Sequence, residues 1–291
     1  MSELVSPKQV AQAIGVSESS LKRWCDQGLI ETVRTAGGHR RLAVSSVMGY
    51  LQKSGHRLIA PEVLGLPPLT VGAGQRSLSK AQTALIEALT QGQDLASRQI
   101  VVEAFLAGHP MHAIADELVA PAFHEIGRQW GCGEVAVYQE RHACEIMARV
   151  LADLRRMTER PPSESVKAIG GTLECDYYSL PNQLVELVLR NVGWDAVSLG
   201  CNLPADSMVI AIQQQRPRLV WLSVSHYECE EKFVSAVESI RAAAFAIRAP
   251  FVIGGRMMCE SLRQKVGEIA CCDSMVQLDA YAHALLQTQP N

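Results

Sequence analysis

Residues 6–42 read SPKQVAQAIGVSESSLKRWCDQGLIETVRTAGGHRRL. Ser6 followed by Pro7 marks a helix start: a hydroxyl cap, then proline at the first helical position, where its missing N–H costs nothing. Val10, Ala13 and Ile14 recur on one helical face, and Gly15 stops the run. Ser17 caps a second helix, with Leu21 and Trp24 as its apolar anchors. Two short helices joined by a Gly-containing turn form a helix-turn-helix, whose second helix can lie in a DNA major groove. Gly28 ends that helix. Residues 32–34 and 40–42, joined by Ala36-Gly37-Gly38, then predict a hairpin wing, followed by a third helix near 43–53.

Residue type assigns the roles. Ser19, Ser20, Lys22 and Arg23 lie on or beside the exposed face of the second helix, where Lys or Arg reaches guanine edges or phosphates and Ser serves either. Arg34, Thr35, His39, Arg40 and Arg41 stud the wing, where arginines hold phosphate more often than they read bases. Trp24 shares the Leu21 face and reads as core. Charge agrees: residues 1–58 carry a net charge of +4 and the remainder −7, so the nucleic-acid footprint is confined to the N-terminal module.

The order Arg23-Trp24, Gly28-Leu29, Arg34-Thr35, Gly37-Gly38-His39-Arg40-Arg41 closely resembles the MerR family of transcriptional regulators over residues 4–54. The resemblance implies a winged module on a double-stranded operator, with the second helix in the major groove and the wing on flanking phosphates.

Beyond it the chain divides further. Residues 59–77 are Pro- and Gly-rich and aperiodic, as expected of a flexible linker. Residues 78–160 are helical in pattern, with breaks at Gly92, Gly108-His109-Pro110 and Gly131-Cys132-Gly133 and with Pro121 kinking or splitting the third of four helices, a bundle. From 163 to 291 short apolar runs alternate with helical stretches, predicting a flavodoxin-like α/β domain with a parallel sheet. Strands are expected at 166–171, 195–199, 219–224, 251–254 and near 269–275. The helices between them fall at 181–191, 204–214 and 232–247, with a closing helix from Leu278. Ligands of such sheets sit outside the carboxyl ends of the strands, which selects residues 172–180, 223–229 and 254–258.

No apolar run approaches the roughly 20 residues of a membrane helix, and the N-terminus does not read as a signal peptide. A cytoplasmic protein without membrane partners is expected. The nine cysteines contain no Cys-x-x-Cys pair and read as free thiols, which argues against a mercury- or copper-sensing regulator.

Helix-turn-helix, bundle and flavodoxin-like sheet, in that order, resemble the light-responsive, cobalamin-dependent MerR-type repressors of the CarH kind. The resemblance implies adenosylcobalamin held between bundle and sheet domain. Trp130 and Glu140 match that family's upper-face motif over the adenosyl group. Ser223, Ser225, Gly254 and Gly255 match a Ser-containing loop and a Gly-Gly turn that suit a nucleotide tail, with hydroxyls to bond it and bare backbone for close approach. The cobalt-binding signature aligns with Asp176 to Pro181, so that Tyr178 stands where the family has its ligating His. Arg141 replaces the upper His, with His142 next to it. A neutral phenol is a poor cobalt ligand.

Three readings stay open. Adenosylcobalamin binds without a protein ligand below cobalt; or the pocket takes haem or another tetrapyrrole, with Tyr178 or His142 as axial ligand; or the 176–181 loop is only a helix entry, Ser179 capping and Pro181 starting the helix of a ligand-free interaction domain. Trp130 could equally be bundle core, and Gly254-Gly255 only a tight turn. The expected function is a DNA-binding repressor whose tetrapyrrole-type ligand controls operator binding through assembly into a dimer or tetramer. Corrinoid methyltransferase subunits and methionine synthase resemble the C-terminal half. They lack the winged module and normally keep the cobalt-binding His, so no enzyme activity is expected.

Overall fold

The opening cap forms in both directions: the Gln9 amide donates to Ser6 Oγ at 3.3 Å while the Ser6 amide donates to Gln9 Oε1 at 2.9 Å. This capping box starts α1 (Pro7–Ile14), and Gly15 ends it in the left-handed region at φ 74°. In α2 (Glu18–Asp26) the Ser20 amide donates to Ser17 Oγ at 3.1 Å. Strands β2 (Val33–Arg34) and β3 (Arg40–Ala43) pair antiparallel as the wing, and α3 (Val44–Ser54) follows. A two-residue strand β1 (Leu4–Val5), too short for any period to announce, pairs with the far edge of β3. Val10, Ile14, Leu21, Ile30, Leu42, Val47 and Met48 are buried as the core of this module.

The computed structural model describes residues 4–56, 58–68, 77–158 and 165–288. The chain forms two compact units, Met1–Arg160 and Pro161–Asn291.

In the first unit, part of the stretch expected as a flexible linker is built structure. Pro61–Leu64 form a 3-10 helix ended by Gly65 at φ 74°. The Ile59 and Ala60 amides both donate to Ala13 O, at 2.7 and 3.0 Å, and Arg98 Nη2 donates to Gly65 O at 3.1 Å. Arg98 also pairs with Asp153, which is 8 % exposed and takes Arg156 as well. Backbone hydrogen bonding, invisible to periodicity, orders this strap. Residues 69–76 of the stretch lie outside the described residues.

Four bundle helices follow. They are α4 (Leu78–Thr90), α5 (Asp94–Leu106), a third that runs from α6 (Met111–Ala113) through π-helical Ile114–Val119 into α7 (Ala120–Gly131), and α8 (Val137–Met157). Pro121 does not split the third helix. The wider π turn ahead of it accommodates a proline that cannot donate to the preceding turn. Leu85, Leu89, Val101, Phe105, Leu118, Ile126, Ile146, Val150 and Leu154 are buried at helical spacing, and α3 packs against α8.

The second unit alternates β4 (Lys167–Gly171), α9 (Ser179–Val192), β5 (Asp195–Ser198), α10 (Ala205–Gln215), β6 (Leu219–Ser223), α11 (Glu230–Ala246), β7 (Phe251–Gly254), α12 (Glu260–Val266), β8 (Ala270–Cys272) and α13 (Met275–Gln287). All strand pairs are parallel in the order β5-β4-β6-β7-β8. Strand order therefore reverses between β4 and β6, the point where such sheets open a crevice. Helix α9 begins two residues before Pro181, with Tyr178 rather than Ser179 at the N-cap and no side-chain cap bond. Asp176 Oδ1 accepts the Tyr178 amide at 3.1 Å instead and fixes the entry.

Candidate functional site

Basic residues on the first unit separate into free and engaged groups. Lys22, Arg23, Arg34 and His39 are exposed. Arg40 is not free: its Nη2 donates to Asp26 Oδ1 at 2.7 Å, tying the wing to the end of α2. Thr35 builds the wing turn, its Oγ1 accepting the His39 amide at 3.2 Å and its carbonyl the Gly38 amide at 2.8 Å. The Ser17 hydroxyl lies 2.8 Å from that of Ser19 and 2.9 Å from that of Ser20, so both serines join the cap cluster. Arg41 is half-buried. Trp24 is half-buried too, not core: its ring lies 5.0 Å from those of Tyr50 and His56 and ties α2 to the end of α3. The face thus presents Lys22 and Arg23 on the helix with Arg34 on a braced wing, a geometry suited to phosphates and base edges.

On the bundle, Trp130 ends α7 with 53 % of its surface exposed, so it is not bundle core; Val137 and Tyr138, at the start of α8, are exposed as well. Glu140 is held on α8: Oε1 accepts Cys144 Sγ at 3.5 Å and Oε2 lies 3.4 Å from Arg141 Nε. Burial and the neighbouring carboxylate push the Cys144 thiol up to about 12. His142 stands two residues beyond Glu140, about 200° around the helix, and packs over Gly92, where an added Cβ would meet its ring at 3.1 Å. Glu140 and His142 therefore face opposite sides. Sequence neighbours here are not site neighbours.

At the carboxyl ends of the strands, Asp176 is 1 % exposed and ties the β4 loop to the β6 loop. Its Oδ2 accepts the Ser225 amide at 2.6 Å and the His226 amide at 3.2 Å. Thr172 Oγ1 donates to Asp176 O at 2.6 Å and accepts the Asn202 amide at 3.1 Å. The Cys175 amide, at φ 70°, donates to Asn202 Oδ1 at 2.8 Å. Over these loops stands a residue that the sequence marks only as part of the 254–258 loop. The Arg256 guanidinium lies 4.5 Å from the centre of the Tyr178 ring, and its Nε donates to Ser225 O at 3.0 Å. Its sequence signal is its place in that strand-end loop, directly after Gly254-Gly255.

The exposed Trp130 face of the bundle fits an apolar ligand surface. The sheet mouth offers no imidazole at position 178. Ser223 and Ser225 are buried, and the bare sides of the two glycines are already filled: a Cβ on Gly254 would meet Cys272 O at 2.5 Å, and one on Gly255, at φ 121°, would meet the Val224 amide nitrogen at 2.7 Å. These glycines let neighbouring backbone approach; they do not leave a cradle. Among the described residues no group of three His, Cys, Asp or Glu could hold a metal ion, and no helix is long and apolar enough to cross a membrane.

Comparison with known proteins adds the ligand class. Residues 81–155 match the B12 binding domain family and residues 4–55 the helix-turn-helix domain family. The trimethylamine corrinoid protein of Methanosarcina barkeri is 23 % identical over 62 % of this chain and 85 % of its own length. The HTH-type transcriptional repressor CarH of Myxococcus xanthus is 24 % identical over 80 % of this chain and 83 % of its own. The structure of the Methanosarcina barkeri monomethylamine corrinoid protein shares the fold, with a TM-score of 0.60 at 17 % identity, over 71 % of this chain and 98 % of that one. A cobalamin cofactor is supported. So is a regulator-like protein that joins a B12 binding domain to a helix-turn-helix.

Proposed function

We propose that this chain is a cytoplasmic MerR-type transcriptional repressor whose hold on a double-stranded operator is set by adenosylcobalamin and released by light. The observation that carries the reading is the joining, within one compact unit, of the helix-turn-helix to the B12 binding helices. The 59–66 strap and the α3–α8 packing link them physically. Lys22, Arg23 and Arg34 would hold the DNA, with Arg40 and Asp26 fixing the angle of the wing. Trp130 and Glu140 would face the cofactor. A bound adenosylcobalamin supplies the visible chromophore and the light-sensitive bond. The chain supplies assembly: copies joined in a dimer or tetramer engage several basic modules at once, raising affinity through effective concentration.

A second reading is favoured by the corrinoid-protein matches, a carrier docking a methyltransferase. The helix-turn-helix match over residues 4–55 weighs against it. Gel shifts at two salt concentrations in each ligand state separate the readings. A regulator of this kind loses about 0.9 of log–log salt slope for every phosphate contact that leaves with a departing module. An unchanged slope between ligand states overturns the assembly mechanism, and a protein that retards no duplex revives the carrier.

A further inference from the structure

Parallel sheets take ligands at the crevice where strand order reverses, here between β4 and β6. In this chain its own residues bridge that crevice at three levels. Deepest lies Trp221 of β6, 1 % exposed, its ring and backbone against the bare α-carbon of Gly170 on β4. Trp221 Nε1 donates to Asn182 Oδ1 at 2.8 Å, and Asn182 Nδ2 donates to Ser198 Oγ at 2.6 Å and Gly200 O at 3.2 Å. The space between α9 and the sheet is thereby bonded across β4, β5 and β6. Above it the Asp176 carboxylate joins the two loops through the Ser225 and His226 amides. On top, Arg256 bridges the third loop to the other two, bonding Ser225 O and covering the Tyr178 ring.

We infer that the sheet unit meets its ligand as a flat floor rather than a socket, with the Tyr178–Arg256 pair as that floor, and that no nucleotide tail enters the crevice. The inference rests on the cobalamin reading above and narrows it to the ligand's macrocycle. A socket would need an unclad backbone or an unpartnered polar group facing inward. Instead, the bare sides of Gly170, Gly254 and Gly255 are all occupied by protein atoms, and both carboxylate oxygens of Asp176 are bonded to backbone. The floor has what a planar macrocycle requires. It sets a guanidinium, fixed by its Nε bond to Ser225 O, over the Tyr178 ring, and Arg256 has no carboxylate partner among the described residues, leaving its terminal nitrogens for a polar or anionic side chain of the ring.

The full chain is titrated with cyanocobalamin and with dicyanocobinamide, the corrinoid that lacks the nucleotide tail, each followed by its own visible spectrum. Arg256→Ala is then titrated with both. The inference expects the two corrinoids to bind within about threefold of each other, and Arg256→Ala to weaken both alike by about tenfold. Cobinamide binding more than about thirtyfold weaker than cobalamin overturns the closed crevice. Equal binding that is untouched by Arg256→Ala overturns the floor. Retention of neither corrinoid is a different result: it overturns the cobalamin reading itself, and the inference falls with it.

Discussion

Replacing Asp176 by Ala removes the acceptor for three buried or half-buried amides: those of Tyr178, Ser225 and His226. Each buried N–H left without a partner costs about 1–3 kcal/mol. Relaxation and water entry at the half-exposed His226 end keep the three from adding fully, so a loss of about 4 kcal/mol is expected. Asp176→Asn keeps the shape but turns a charge-assisted acceptor into a neutral amide and should lose about half of that. Urea unfolding of the full chain, followed by tryptophan emission, reads the sheet unit because Trp194 and Trp221 are both fully buried there. At an m-value of about 2 kcal/mol/M the midpoint of that transition should fall by about 2 M for Asp176→Ala. A fall below about 0.5 M would refute the reasoning, since it would mean that the two loops are not held together by this carboxylate.

Gly170→Ala would press a methyl into the Trp221 ring and carbonyl, and the same unfolding transition should lose about 2–3 kcal/mol; an unchanged midpoint contradicts the packing described. Lys22→Ala and Arg34→Ala should each reduce the log–log salt slope of duplex binding by about one, whereas Arg40→Ala, which frees the wing from Asp26, should lower affinity with a smaller change of slope. Thiol reactivity should follow environment. Hydrogen bonds from Ser261 and the Leu262 amide hold the exposed Cys259 thiol below its ordinary value, while Cys144 sits at about 12. At pH 8 the first therefore carries more thiolate, and iodoacetamide followed by peptide mass spectrometry should label Cys259 well before Cys144.

Local chemistry was legible from the sequence where one residue determines one backbone event. Ser6-Pro7 and Gly15 bracket α1, and all five apolar runs expected as strands after residue 163 are strands, because parallel β-strands and their crossover helices alternate in period. Elements too short for a period were not legible: the two residues of β1, the 3-10 turn at Pro61–Leu64 and the seven residues of α12. The candidate site was legible only by type. Asp176, Ser225 and Tyr178 were singled out, but their roles depend on which strands are neighbours. Arg256 reaches Tyr178 only because β7 lies beside β6 and β6 beside β4. His142 shows the converse, a residue chosen for adjacency to Glu140 that helical rotation carries to the other side.

The most direct test of the account is a DNA titration of protein loaded in the dark with adenosylcobalamin, freed of excess ligand, against the same protein without it. Duplexes are selected from a random pool, and corrin absorbance and DNA retardation are read on the same samples. The corrin spectrum should stay with the DNA-bound species, loading should raise affinity by at least about tenfold, and illumination should abolish the gain. Equal affinity of loaded and unloaded protein, or a corrin spectrum lost on removal of excess ligand, would contradict it.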